Sequence, residues 1–176
     1  MMPIGPLMKE HRIIEKMIAY VKRESGKIAA GGEVNPLFID AAVDFIRTYA
    51  DRTHHGKEED ILFAALAGRN LAPEDRRQMD TLTAEHVFAR KTVRALVEAK
   101  ADFLAGDRDS LRRILEACGA LIRLYPDHIR REDKIFFPAA MKYFDKPEQE
   151  AMLTEMARFD QNMIHEKYRK VIEQWA

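Results

Sequence analysis

One motif is written twice in this chain, and it constrains the fold more than any other feature. Residues 54–63 read HHGKEEDILF, and 74 residues after His54 the chain reads HIRREDKIFF, residues 128–137. Alignment pairs His54 with His128, Glu58 with Glu132, Glu59 with Asp133 and Ile61 with Ile135. The repeat extends upstream, where Glu10–His11 precedes the first copy and Glu85–His86 the second. His11 lies 43 residues before His54, and His86 lies 42 before His128. Each half therefore carries a lone histidine followed by a histidine-x-x-x-glutamate.

The apolar periodicity around these residues is helical throughout, and no segment alternates as a strand does. Five helices are expected. The first covers about 6–29 and stops at Gly31–Gly32; the second starts at Asn35–Pro36, a cap followed by a proline suited to the first helical position, and reaches 67. The third covers about 73–106. The fourth runs from a cap at Asp107 or Asp109 to 144, with Pro126 inside it. The fifth covers about 147–175. Short connections favour antiparallel neighbours, so the reading is an all-α, up-down four-helix bundle over residues 4–144, with an additional C-terminal helix over 145–176 packed on it.

On a helix, positions i and i+4 share one face. His54 with Glu58, and His128 with Glu132, can therefore point together. His11 lies between Leu7 and Ile14, His54 after Ile46 and Ala50, His86 between Leu82 and Ala89, and His128 between Leu121 and Ile135. All four stripes should face the bundle axis. Four imidazoles and two carboxylates in an apolar core are costly unless something satisfies them. A metal site is the economical reading, with His11, His54, Glu58, His86, His128 and Glu132 as ligands. Mixed imidazole and carboxylate donors suit iron, manganese or zinc, and glutamates from opposite helices can bridge two ions. The ferritin-like pattern needs glutamate-x-x-histidine on two helices, the reverse of what is written here.

Composition closes off other classes. Lys plus Arg equals Asp plus Glu at 29 each, so no net basic field draws in nucleic acid or an anionic membrane. No apolar run approaches the ~20 residues of a membrane span, and MMPIGPLMKEHR, with no basic segment followed by an apolar one, is not expected to be a secretory signal. The single cysteine, Cys118, lies at core spacing and cannot form an internal disulfide, so a reducing cytoplasm is the default compartment.

At His11, HHGKEEDILF, Glu85–His86 and HIRREDKIFFP, the sequence resembles the hemerythrin-like family with the HHE cation-binding domain. That resemblance implies a bundle holding two non-haem iron ions with an oxo or hydroxo bridge, the six residues above being the ligands. It also implies binding or reduction of dioxygen, peroxide or nitric oxide, in sensing or stress protection. Iron storage, delivery or repair of iron–sulfur centres is the alternative. No catalytic residue is assigned apart from the ligands; peroxidase- or oxidase-like turnover and a protein redox partner stay open. Two positions depart from the family members that carry oxygen reversibly. The third-helix position four after His86 is Arg90 instead of a histidine, and the fourth-helix carboxylate is read as Glu132 rather than Asp133. Glu10, Glu85 and Arg90 are expected to hydrogen-bond around the metals, with Glu59 and Asp133 outside the ligand set. His55 pairs with Glu59 at i+4 but is turned about 100° from His54, and it faces isoleucine in the repeat, so it is read as outside the centre. His165, on the fifth helix, is a possible additional ligand; Tyr125 and Tyr168 are possible hydrogen-bond donors to a bound ligand.

Overall fold

The computed structural model describes the chain from residue 2 to residue 173, with side chains through residue 163. His165 and Tyr168 fall outside the described side chains. Five helical rods follow one another: α1 (Ile4–Ala29), α2 (36–67), α3 (Pro73–Leu104), α4 (110–143) and α5 (Lys146–Glu173). Among the described residues there is no strand, and no helix is long and apolar enough to cross a membrane.

The punctuation acts as its chemistry requires. Gly31 adopts a φ of 90°, which brings the Gly32 N–H onto the Lys27 carbonyl at 2.9 Å and ends α1. Asn35 caps α2 by accepting from the Phe38 N–H at 3.1 Å, with Pro36 at the first helical position. Pro126 lies within helical backbone that continues to Arg131.

Three stretches are wound more widely than an α-helix: Ile46–His55, Glu58–Phe63 and Glu132–Phe136. Their i→i+5 bonds put more residues in each turn, so successive side chains splay less around the axis. This winding falls on the repeated motif in both halves, and it overturns two sequence expectations. The stripe after His128 is not continued by Ile135, which is 48% exposed, but by buried Phe136 and Phe137. The extra residue in that turn shifts the inward face by one position. The second correction concerns His55, described below.

The core forms two apolar clusters. One gathers Ile14, Ile18, Ala50, Val93, Leu96 and Leu121; Cys118 packs here too, as its spacing suggested. The other gathers Leu7, Ile61, Leu82, Phe136 and Phe137 with Met152 and Met156 of α5. Each motif histidine lies on its helix between a member of one cluster and a member of the other. A polar layer is thus enclosed between two greasy ones. The fifth helix lies against α2, where the Phe159 ring sits where a Cβ on Gly56 would be, 2.7 Å away. Any larger residue at 56 would push it off.

Candidate metal centre

The structure brings together all six residues expected from the sequence, and each is at most 3% exposed. They fall into two groups. His11, His54, Glu58 and Glu132 form one cluster of potential ligand atoms; His86 and His128 form the other, joined by His55. His55 is 2% exposed, its ring stacked on that of His86 with centroids 3.8 Å apart. The expectation that it stands outside the centre was therefore wrong. Reduced splay in the wide turn lets His54 face one group while its neighbour faces the other. Nor does His55 pair with Glu59; its Nδ1 lies 3.3 Å from Asp51, one turn back.

The two glutamates lie between the groups. Glu58 has one oxygen 3.4 Å from His54 Nε2 and the other 3.5 Å from His86 Nε2. Glu132 has one oxygen 3.1 Å from His11 Nε2 and the other 3.3 Å from His128 Nε2. Each carboxylate thus presents one oxygen to each histidine group.

Around this layer runs a second ring of carboxylates, each taking the Nδ1 of one imidazole. His11 meets Asp133 at 2.7 Å, His54 meets Glu10 at 2.8 Å, His86 meets Glu59 at 2.7 Å and His128 meets Glu85 at 2.8 Å. A cation holds each acid in turn: Arg12 holds Asp133, Lys57 holds Glu10, Arg90 holds Glu59 and Arg131 holds Glu85. Such partners fix the ring's orientation, leaving Nε2 aimed inward. Rings of Phe137 and Phe63 stack parallel to His11 and His86, at 5.7 and 6.0 Å between centroids. Lys57, which sequence reading passed over, is fully buried and also reaches Asp160 of α5 at 2.6 Å.

The inward atoms are unsatisfied. Nε2 of His11, His54, His86 and His128, and both carboxyl oxygens of Glu58 and Glu132, are buried without a hydrogen-bond partner among the described residues. At ~1–3 kcal/mol for each orphaned group, the eight atoms would cost on the order of 10–20 kcal/mol without relaxation. That matches the whole net stability of about 5–15 kcal/mol of an ordinary domain. A core built this way is complete only when something accepts those lone pairs. The donors are nitrogen and carboxylate oxygen, the set a borderline divalent cation prefers.

Without a metal, the charges of this layer also oppose one another. Burial and the adjacent Glu132 push the Glu58 carboxyl well above the ordinary carboxylate range. Glu132 is held below that range: burial opposes this, but His128, His11 and His86 outweigh it. One proton on Glu58 thus separates two like charges. Burial drives His54 down to about 4 and His55 well below the usual imidazole value. His11 goes the other way, raised to about 9 against its burial by Asp133 and Glu132.

The sequence model of the family described as the hemerythrin HHE cation binding domain matches residues 2–140, and a second match covers residues 79–175. The second begins where the second half of the repeat does. No curated relative and no solved structure matches the chain.

Proposed function

Because the chain belongs to the hemerythrin HHE cation-binding family, we propose that its polar layer holds two non-haem iron ions and serves to bind or reduce a small oxidant. His11 and His54 would hold one ion and His86 and His128 the other, with His55 a fifth imidazole on the second; Glu58 and Glu132 would bridge them. The observation that carries this reading is the bridging placement of the two glutamates. A single ion would need one set of donors, whereas here each carboxylate has one oxygen within 3.5 Å of a histidine in each of two groups. Bound iron supplies a redox-active Lewis acid to a ligand such as dioxygen, peroxide or nitric oxide.

The chain's own part is positioning, charge and exclusion of water. The outer acids hold each imidazole by Nδ1, so Nε2 needs no reorientation when a cation arrives. The two glutamates offset cationic charge that apolar walls would otherwise make costly. The clusters above and below keep bulk water from the layer, and no thiolate is near to be oxidised, since Cys118 is packed in one of those clusters. A role in sensing or in protection against oxidative or nitrosative stress follows from that chemistry.

The test is iron per chain, with a visible spectrum of aerobically purified protein before and after reduction. About two irons per chain, with near-ultraviolet bands that bleach on reduction, is the expected result for a di-iron carboxylate bundle. Absence of iron, with no uptake on anaerobic ferrous loading, would overturn the reading.

A further inference from the structure

One of the two histidine groups is wired to a helix outside the duplicated bundle. Asp160 of α5 accepts from Lys57 Nζ at 2.6 Å, the same ammonium holds Glu10, and Glu10 takes His54 Nδ1 at 2.8 Å. These side chains run in single file from α5 to an imidazole whose other nitrogen is aimed into the polar layer. Lys57 is fully buried, so its charge depends on those acids rather than on water. In the second half the cation behind Glu85 and His128 is Arg131, which is partly exposed and hydrated instead.

The hold on α5 changes along its length. Met152 and Met156 are buried in the second apolar cluster and anchor its first half. Past them the grip narrows. Phe159 lies over Gly56 and Asp160 on Lys57, neighbouring residues of α5 on neighbouring residues of α2. On one side of this contact is a cleft of about 680 Å³ bordered by Glu10, Tyr49 and Asp160. On the other is one of about 480 Å³ bordered by Glu59, Arg90 and Phe159, and Met163 lines both. The stretch from Phe159 to Met163 therefore rests on the Phe159 ring and the Asp160 carboxylate, with open space at either hand. Helical stretches with so little buried apolar contact open locally at low free energy.

Charge fixes the direction in which the two ends of this line influence each other. A cation on His54 Nε2 makes Nδ1–H a stronger donor, which draws Glu10 toward the ring and away from Lys57. The buried ammonium, now beside added positive charge, leans on Asp160 as its counterion. In the other direction, an Asp160 that shares Lys57 leaves Glu10 freer to polarise His54 and raise the basicity of Nε2. Both arguments carry the same sign. Cation and docked helix favour each other.

We propose that Asp160 is a positioning residue for the His11–His54 group, acting through Lys57 and Glu10, so that a cation held there fastens α5 and a fastened α5 tightens the hold on the cation. The proposal rests on that group holding a metal ion, as read above. By linkage the two effects are equal in size, and couplings between sites commonly amount to ~5–150-fold. The Asp160 side chain is 41% exposed, so solvent screens it and the lower end of that range applies.

The experiment uses the full-length protein, metal-free and loaded anaerobically with ferrous iron, with iron measured in every sample. Amide hydrogen exchange is followed over residues 157–163. In wild type, loading is expected to slow exchange there about fivefold. Asp160→Asn keeps the shape of the side chain and removes its charge. Iron affinity in chelator competition is then expected to fall about fivefold, and exchange over 157–163 to become the same in the two forms. Asp160→Glu should restore most of both. If Asp160 merely fastens the helix, Asp160→Asn would speed exchange equally with and without iron and leave iron affinity at the wild-type value. That outcome, or wild-type exchange indifferent to iron, overturns the proposal. A wild-type protein that takes up no iron overturns the metal reading and this coupling with it, and the iron assay tells the two failures apart.

Discussion

The two halves of the molecule are near copies chemically, and they differ where it matters. Glu10 and Lys57 stand behind His54 as Glu85 and Arg131 stand behind His128. Asp133 serves His11 as Glu59 serves His86, each acid reaching across from the opposite half. A twofold pattern so complete makes its exceptions legible. Position 55 is a histidine where its counterpart 129 is a buried isoleucine, so one histidine group has three members and the other two. Lys57 is wholly buried, capped by Asp160 of α5, whereas Arg131 has 27% of its side chain exposed. The lesson is that a duplicated scaffold sets the two central carboxylates symmetrically between the histidine groups, and single-residue departures then give each group its own character.

That comparison can be broken most severely at the bridges. Glu58→Ala and Glu132→Ala should each deplete both pockets, since each carboxylate serves both. Iron per chain should fall to a small fraction of wild type in either variant while the helical circular dichroism persists. Loss of only half the metal in both variants would show that the carboxylates do not bridge. A narrower cut is His55→Ile, which gives the first half the residue of the second. Affinity for one iron of the two should drop about tenfold or more in chelator competition, the other falling less; equal retention of both would return His55 to a packing role.

The buried cation gives the next contrast. Lys57→Met leaves Glu10 and Asp160 facing each other without a counterion and should destabilise the metal-free protein by about 3–5 kcal/mol in urea denaturation. Arg131→Met, at the partly exposed counterpart, should cost about 1 kcal/mol. Equal costs would mean that α5 does not set the two sites apart.

The smallest effect is in proton linkage, and it contrasts His11 with His54. His11, with its value raised to about 9, holds its proton at neutral pH in the metal-free protein, whereas His54, lowered to about 4, does not. A raised imidazole value stabilises the fold fully below the unfolded value of about 6.5, and that contribution is lost as pH rises through about 9. Metal binding requires the neutral ring, so loading at neutral pH should release the His11 proton and tighten as pH climbs toward 9. Proton release into a weak buffer during ferrous titration measures this directly, and His11→Gln is expected to release fewer protons than wild type, that of Glu58 still being displaced.

Much of this buried polar layer was readable from the chain because its spacing is redundant. His11, His54, Glu58, His86, His128 and Glu132 announce themselves through an i, i+4 step that occurs twice, and the acids beside them sit one position from a ligand. His55 was not readable in that way. An ideal α-helix turns it about 100° away from His54, and nothing in the letters HHGKEED signals the wider winding that lets both point inward. The same winding hid Phe136 behind Ile135. A clue did exist in Asp51, four residues before His55, which mirrors the acid behind every other imidazole. Lys57 was hidden for another reason: a lysine reads as solvated until a helix a hundred residues away is known to cover it.

With two ions held as proposed, the crosswise reach of Glu58 and Glu132 would also govern how the centre fills. A carboxylate drawn onto a cation through one oxygen has its other oxygen fixed in direction, so the first ion to arrive builds half of the berth for the second. Chains carrying a single ion should therefore be scarce at every stage of loading. Filling would then span a narrower range of free metal than two independent sites would give.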